Sequence, residues 1–148
     1  MQQGLTLLQQ GQLTQAKQMY EQVLAKQPRH FDALHLLGVI AFQSNNLVLA
    51  VELMGQAIEV NLNNATAHYN HGVSLKALKR VEEAIASYDR AIAIKPDYAD
   101  AYWNKSFALL LNSDFAHGWE LYEWRWKWEA FSSPKRNFAQ PLWLGAED

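Results

Sequence analysis

The residues best equipped for chemistry in this chain are its five histidines. His68 and His71 stand three apart, which would put two imidazoles on one helix face, within reach of a single metal ion. No acidic residue or third histidine lies near them in sequence, although His35 could approach from an earlier segment. They read as packing histidines rather than metal ligands. Ser74, Ser87 and Ser106 could supply hydroxyl nucleophiles, but none sits in a recognisable nucleophile motif, and there is no glycine-rich phosphate loop. Glu82 and Glu83 read as the start of a helix, and Glu120 and Glu123 as a solvated helix face. No catalytic residue, cofactor site or metal site is expected.

Asn70 and Asn104 point to a different kind of chemistry. They stand 34 residues apart, and many other positions repeat at the same interval. Gly4, Gly38, Gly72 and Ser106 fall in phase. So do Ala16, Ala50, Ala84 and Gly118, then Leu13, Leu47, Val81 and Phe115, then Tyr20, Met54, Tyr88 and Tyr122. Pro28 and Pro96 share a phase with Leu62 and Ala130. A fixed period of this length marks a repeat architecture.

Each unit reads as two amphipathic helices joined by a short turn. In the third unit the spacing predicts a first helix over Ala65 to Leu78 and a second over Val81 to Ile94. The second carries Val81, Ala84, Ile85, Tyr88, Ala91 and Ile92 at the spacing of one helical stripe. Lys95-Pro96-Asp97 ends it, because proline lacks an amide hydrogen and disfavours helix in the residue before it. Asn64 and Asp97 are candidate caps for the next helix starts. Gly38 and Gly72 fall inside helices, where glycine costs about 1 kcal/mol relative to alanine. A costly residue that recurs implies close backbone approach, with Ala50 and Ala84 as the expected opposing residues. Tyr20 and Tyr88 are expected to fill wider gaps.

Composition narrows the classes further. The chain has 148 residues and a net charge of −2, from 13 basic and 15 acidic residues. No basic stripe suggests nucleic acid. There is no cysteine, which excludes a disulfide framework, a zinc–cysteine site and a thiol nucleophile. The opening MQQGLTLLQQ lacks the charged and apolar regions of a secretion signal. No apolar run is long enough to span a membrane. A cytoplasmic location is the resulting expectation.

The in-phase residues resemble the tetratricopeptide repeat. That family has a small residue at its eighth position, alanine at the twentieth, an aromatic at the twenty-fourth and proline at the thirty-second. The third unit matches with Gly72, Ala84, Tyr88 and Pro96. The first unit lacks its opening turn, and the fourth has Ser106 for glycine and Gly118 for alanine. The resemblance implies an all-α, right-handed superhelix of about four repeats over residues 1–130. The units would be 1–30, 31–64, 65–98 and 99–130, with an extended tail or linker over 131–148. It also implies a non-catalytic module that binds a protein or peptide on a concave face lined by first helices. The lining positions map to His35, Val39 and Phe42 in the second unit. In the third they are Tyr69, Asn70, Val73 and Lys76, and in the fourth Trp103, Asn104, Phe107 and Leu110. An apolar surface of this kind suits an extended or helical peptide with large apolar anchors.

Asn70 and Asn104 occupy the position at which asparagines in the arrays of O-linked N-acetylglucosamine transferases form a ladder along a peptide backbone. An amide suits that task because it both donates and accepts. Leu36 interrupts the ladder. The carboxylate clamp of chaperone-binding repeats is a poor match, because Val39, Val73 and Phe107 fill slots that need polar residues.

The C-terminal stretch is unusual. Four of the six tryptophans crowd into residues 118–128. In helical register Trp119 and Trp126 take slots that face a following unit, and Trp124 takes a solvent slot. A helix apolar on most sides is buried on most sides, so this Trp-rich capping helix needs a cover. Phe138, Pro141, Leu142, Trp143 and Leu144 of the tail are one candidate, and a further domain is another. The run GWELYEWRWKW, with SPKRNFAQPLWLGAED, resembles the junction in bacterial proteins that join these repeats to a glycosyltransferase-like domain of the heptosyltransferase-type family nine. That resemblance implies the N-terminal recruiting region of such a protein, stopping just before its catalytic domain. A free-standing adaptor, or an assembly element dimerising through its groove or through Trp119, Trp124 and Trp126, is the alternative.

Overall fold

The computed structural model describes residues 2–127. Trp128 and the tail over 131–148, with its expected role as a cover, lie outside the described residues. Eight α-helices follow in order: α1 (Gln2–Gln9), α2 (Leu13–Lys26), α3 (Phe31–Gln43), α4 (Leu47–Val60), α5 (Ala65–Ala77), α6 (Val81–Ile94), α7 (Ala99–Leu111) and α8 (Phe115–Tyr122). A 3-10 helix, Glu123–Lys127, continues directly from α8. Consecutive helices pair as hairpins, and each hairpin packs on the next through its second helix. The fold is all-α among the described residues. Its core is strung along the stack, with one apolar cluster around Ala16, Tyr20, Leu37 and Ile40 and another around Leu75, Ala84, Tyr88 and Ala108. Such a solenoid draws its stability from nearest-neighbour packing.

The turn inside each hairpin is built the same way four times. Gly11, Asn45, Lys79 and Ser113 all have φ between +59° and +72°, in the left-handed region. The next residue's amide donates back across the turn: Gln12 to the Leu7 carbonyl, Asn46 to Ala41, Arg80 to Leu75 and Asp114 to Leu109, all within 3.0 Å. Together with the bonds from the left-handed residue itself to the carbonyl three residues back, these form Schellman caps. Only the first turn uses glycine, the residue that reaches this conformation without strain.

Side chains cap several helix starts. Asn64 Oδ1 accepts the Ala67 amide at 2.9 Å, as expected. Asp97 does not cap α7. Tyr98, in 34-residue phase with Asn64, stands at that position and makes no side-chain cap bond. His30 Nδ1 caps α3 and Asp114 caps α8.

The packing of the glycines also differs from the expectation. A Cβ on Gly72 would lie 2.7 Å from the Tyr88 ring, and one on Gly4 2.6 Å from that of Tyr20. On Gly38 it would lie 2.8 Å from Met54 Cγ. The glycines therefore face the large residues of the partner helix, not Ala50 and Ala84. Those alanines are fully buried on their own account. The physical reason is volume matching: the ring needs a floor without a side chain.

Candidate functional site

Among the first helices, α3 touches α5 and α5 touches α7. Side chains on this face meet in the register of the repeat. Asn70 Nδ2 lies 2.9 Å from His35 Nε2. Asn104 Nδ2 donates to Tyr69 Oη at 3.1 Å. The two bonds are the same contact one unit apart, since His35 and Tyr69 share a repeat slot. Both asparagines are thus held by the preceding first helix. Asn104 also donates to its own helix, at the Asp100 carbonyl, and accepts from Lys76 Nζ at 2.7 Å.

Burial shapes the electrostatics. It pushes the Tyr69 hydroxyl up to about 12, helped by the nearby Asp100 charge. It lowers His35 below the ordinary imidazole value, against a weaker opposing pull from Asp32. It lowers Lys76 too. A neutral His35 suits its bond to an amide, and the phenol stays protonated at any physiological pH.

Four residues in one slot form an apolar stripe across the first helices: Leu5, Val39, Val73 and Phe107. Val39 and Val73 are half-buried, while Leu5 is 40% and Phe107 37% exposed. Leu5 was not among the expected lining residues, yet its 34-residue phase with Val39 carried the signal. Trp103 packs edge-on against Phe107, with ring centroids 4.7 Å apart, and lies equally near Tyr122. Phe42 is half-buried on α3. Leu110 lies over Gly118, where an added Cβ would come within 2.7 Å of it, so its packing is directed into its own hairpin.

The tryptophans sit differently from their helical extrapolation. The chain tightens to a 3-10 helix at Glu123, and its three residues per turn shift every later side chain. Trp124 consequently stacks flat on Tyr102 of α7, with centroids 3.8 Å apart, instead of pointing to solvent. Lys127 Nζ lies 3.9 Å from the same ring. Glu123 is not part of a solvated face. It is half-buried, pairs with Arg125 and accepts the Trp126 indole N–H at 3.1 Å. Trp119 lies against Tyr122, and all three tryptophans are half-buried.

The histidines and serines are engaged within the packing. His68 Nε2 lies 3.0 Å from the Leu62 carbonyl, and His71 Nδ1 lies 3.1 Å from Ser87 Oγ, joining α5 to α6. Ser74 donates to the Asn70 carbonyl and Ser106 to that of Trp103. Glu83 makes a two-point bond to Arg80 at the start of α6, as the helix-start reading expected. No group of three potential metal ligands occurs among the described residues. None of the described helices is long and apolar enough to cross a membrane.

Comparison with known proteins agrees with this architecture. Residues 1–55 match the family model described as tetratricopeptide repeat, and residues 72–113 match one described as TPR repeat. The chain is similar to the STIP1 homolog of Dictyostelium discoideum, with 36% identity over 72 residues. That match covers 49% of this chain and 13% of the relative. It is also similar to the probable UDP-N-acetylglucosamine–peptide N-acetylglucosaminyltransferase SPINDLY of Solanum lycopersicum. There the identity is 34% over 83 residues, covering 56% of this chain and 9% of the relative. This chain thus spans a small part of either relative. Among solved structures, a crystal structure of MamA superposes with a TM-score of 0.77 at 25% identity, covering 82% of this chain and 71% of that one.

Proposed function

The chain carries tetratricopeptide repeats and is a protein-binding module, and from that premise we propose that its first-helix face receives an extended or helical peptide with apolar anchors. The observation that carries this reading is the stripe of Leu5, Val39, Val73 and Phe107, partly exposed and continuous in register through four hairpins. Apolar side chains left open on one face favour partner docking. His35, Tyr69, Trp103 and Phe42 add ring surface, and Lys76, Asn70 and Asn104 add polar points. The two amides are already bonded to the preceding helix. Gripping a peptide backbone requires them to exchange those partners for peptide ones.

The wider setting belongs to the same proposal. SPINDLY is named as a glycosyltransferase, and the human protein O-mannosyl-transferase TMTC3 matches over 67% of this chain. These names support a module that recruits acceptors for a glycosyltransferase-like protein, while a bacterial, cytoplasmic setting rests on the sequence reading alone. The half-buried Trp119, Trp124 and Trp126 support a contact at this end with a following domain or a second copy.

Peptides selected from a random phage-displayed library against the native protein test the groove. Phe107→Asp should abolish their binding while circular dichroism stays unchanged. Peptides that bind wild type and variant equally would place the binding surface elsewhere. Light scattering at high concentration addresses the assembly alternative, which a monomer would remove.

A further inference from the structure

Lys76 is a cation among aromatic, aliphatic and amide lining residues, with the Asp100 and Asp32 charges near Tyr69 and His35. Its ammonium is half-buried and bonded to a neutral acceptor, Asn104 Oδ1, at 2.7 Å. The Phe107 ring centroid lies 5.9 Å away. Burial lowers its proton affinity, and no carboxylate contributes an opposing pull. On the neighbouring first helices Lys105 pairs with Asp89 at 2.6 Å, while the carboxylates of Asp100 and Asp32 act on Tyr69 and Tyr98 and on His35, and neither is bonded to Lys76. A partly desolvated ammonium held by a neutral amide retains most of its attraction for an anion. The phenol next to it points the same way. Tyr69 Oη accepts from Asn104, so its own proton is directed to a different acceptor.

We propose that Lys76, with Asn104 and Tyr69 around it, is an acidic-residue subsite that selects peptides carrying an internal Asp or Glu side chain beside an apolar anchor. This rests on the peptide-binding reading of the same face and names the chemistry of its partner. The apolar stripe continues on both sides, through Val39 and Leu5 in one direction and Phe107 in the other. A ligand on it passes across Lys76 rather than ending there. A terminal carboxylate, by contrast, needs several polar groups where Val39, Val73 and Phe107 stand. Charge complementarity therefore favours a side-chain carboxylate, with its neighbouring anchor against Phe107.

The test uses the phage-selected peptides as probes, synthesised with a fluorescent label. Those lost on Phe107→Asp should be rich in Asp or Glu. Replacing that acid by its amide should weaken binding to the native protein about tenfold, as expected for a charge-assisted bond. The difference should vanish in Lys76→Met and persist in Lys76→Arg, with both variants as helical as wild type. C-terminal amidation of the peptide should change little. Groove-bound peptides without acidic preference, or with a preference that survives Lys76→Met, would overturn the subsite and leave the groove standing. Loss of binding on amidation alone would assign the contact to a terminal carboxylate and equally overturn it. Selection of no groove-dependent peptide would remove both readings together.

Discussion

The value of a single methyl group in this fold depends on what stands opposite it. Gly72 sits against the Tyr88 ring, whereas Gly55 in α4 has nothing within 4 Å of an added Cβ. Both are helical, so alanine gains about 1 kcal/mol of propensity at either. At Gly72 the clash should offset or exceed that gain, for a net loss of up to about 2 kcal/mol. At Gly55 the gain should stand alone. Urea midpoints of the two variants moving in the same direction would contradict this packing. Titration acts at the same scale. His35 and His71 are both held below the ordinary value of about 6.5, chiefly by burial. Below that pH the unfolded chain binds protons that the native one does not. Stability should therefore be full above pH 6.5, fall as pH drops below it, and level off under the native values. Urea midpoints taken between pH 7.5 and 5 read this directly, and a flat profile would mean that the two imidazoles titrate normally. These contacts were only partly legible from the residues. The small–large alternation could be read, but which large residue faced which small one required the helix crossing.

Among the elements, the four hairpin turns share one geometry with four different residues. Lys79 has φ +62°, and a non-glycine residue there is strained by about 1–2 kcal/mol. Replacing it with glycine removes the strain but loosens the unfolded chain by roughly half as much. Lys79→Gly should therefore stabilise by up to about 1 kcal/mol. Gly11→Ala, at φ +72° with open space around it, should destabilise by a similar amount or more. Paired thermal melts check both, and a destabilising Lys79→Gly would mean that its side chain holds the turn. The 34-residue phase of Gly11, Asn45, Lys79 and Ser113 was present in the sequence. Its meaning is not legible there, because lysine and serine are poor markers of left-handed backbone. The 3-10 helix at Glu123 was not legible at all. It brings the Trp124 ring onto Tyr102 of α7, a contact made between helices and not within one.

For the molecule as a whole, the stack has no single centre. Among the described residues, α3 to α6 have a hairpin packed on either side, while α1 and the 3-10 helix have neighbours on one side. Local stability in such an array follows the number of packed neighbours. Amide exchange should be slowest in α3 to α6 and fastest in α1. Equal protection throughout would show that the array opens as one cooperative unit. The same geometry places the stripe of Leu5, Val39, Val73 and Phe107 across separate hairpins. A peptide docked there, as proposed, would hold the hairpins in a fixed relation.

The periodicity of small, aromatic and apolar residues by itself determined the helical hairpins, their number and their order. That information is local, because a stripe of helix needs only the spacing along its own chain. Asn70 and Asn104 were legible as a pair for the same reason. Their partners were not: His35 lies 35 residues before one, and Tyr69 and Lys76 lie 35 and 28 before the other. Only the approach of one first helix to the next decided that the amides are already bonded and that Lys76 has a neutral partner. Contacts across a solenoid depend on the tilt between units, which no single repeat encodes.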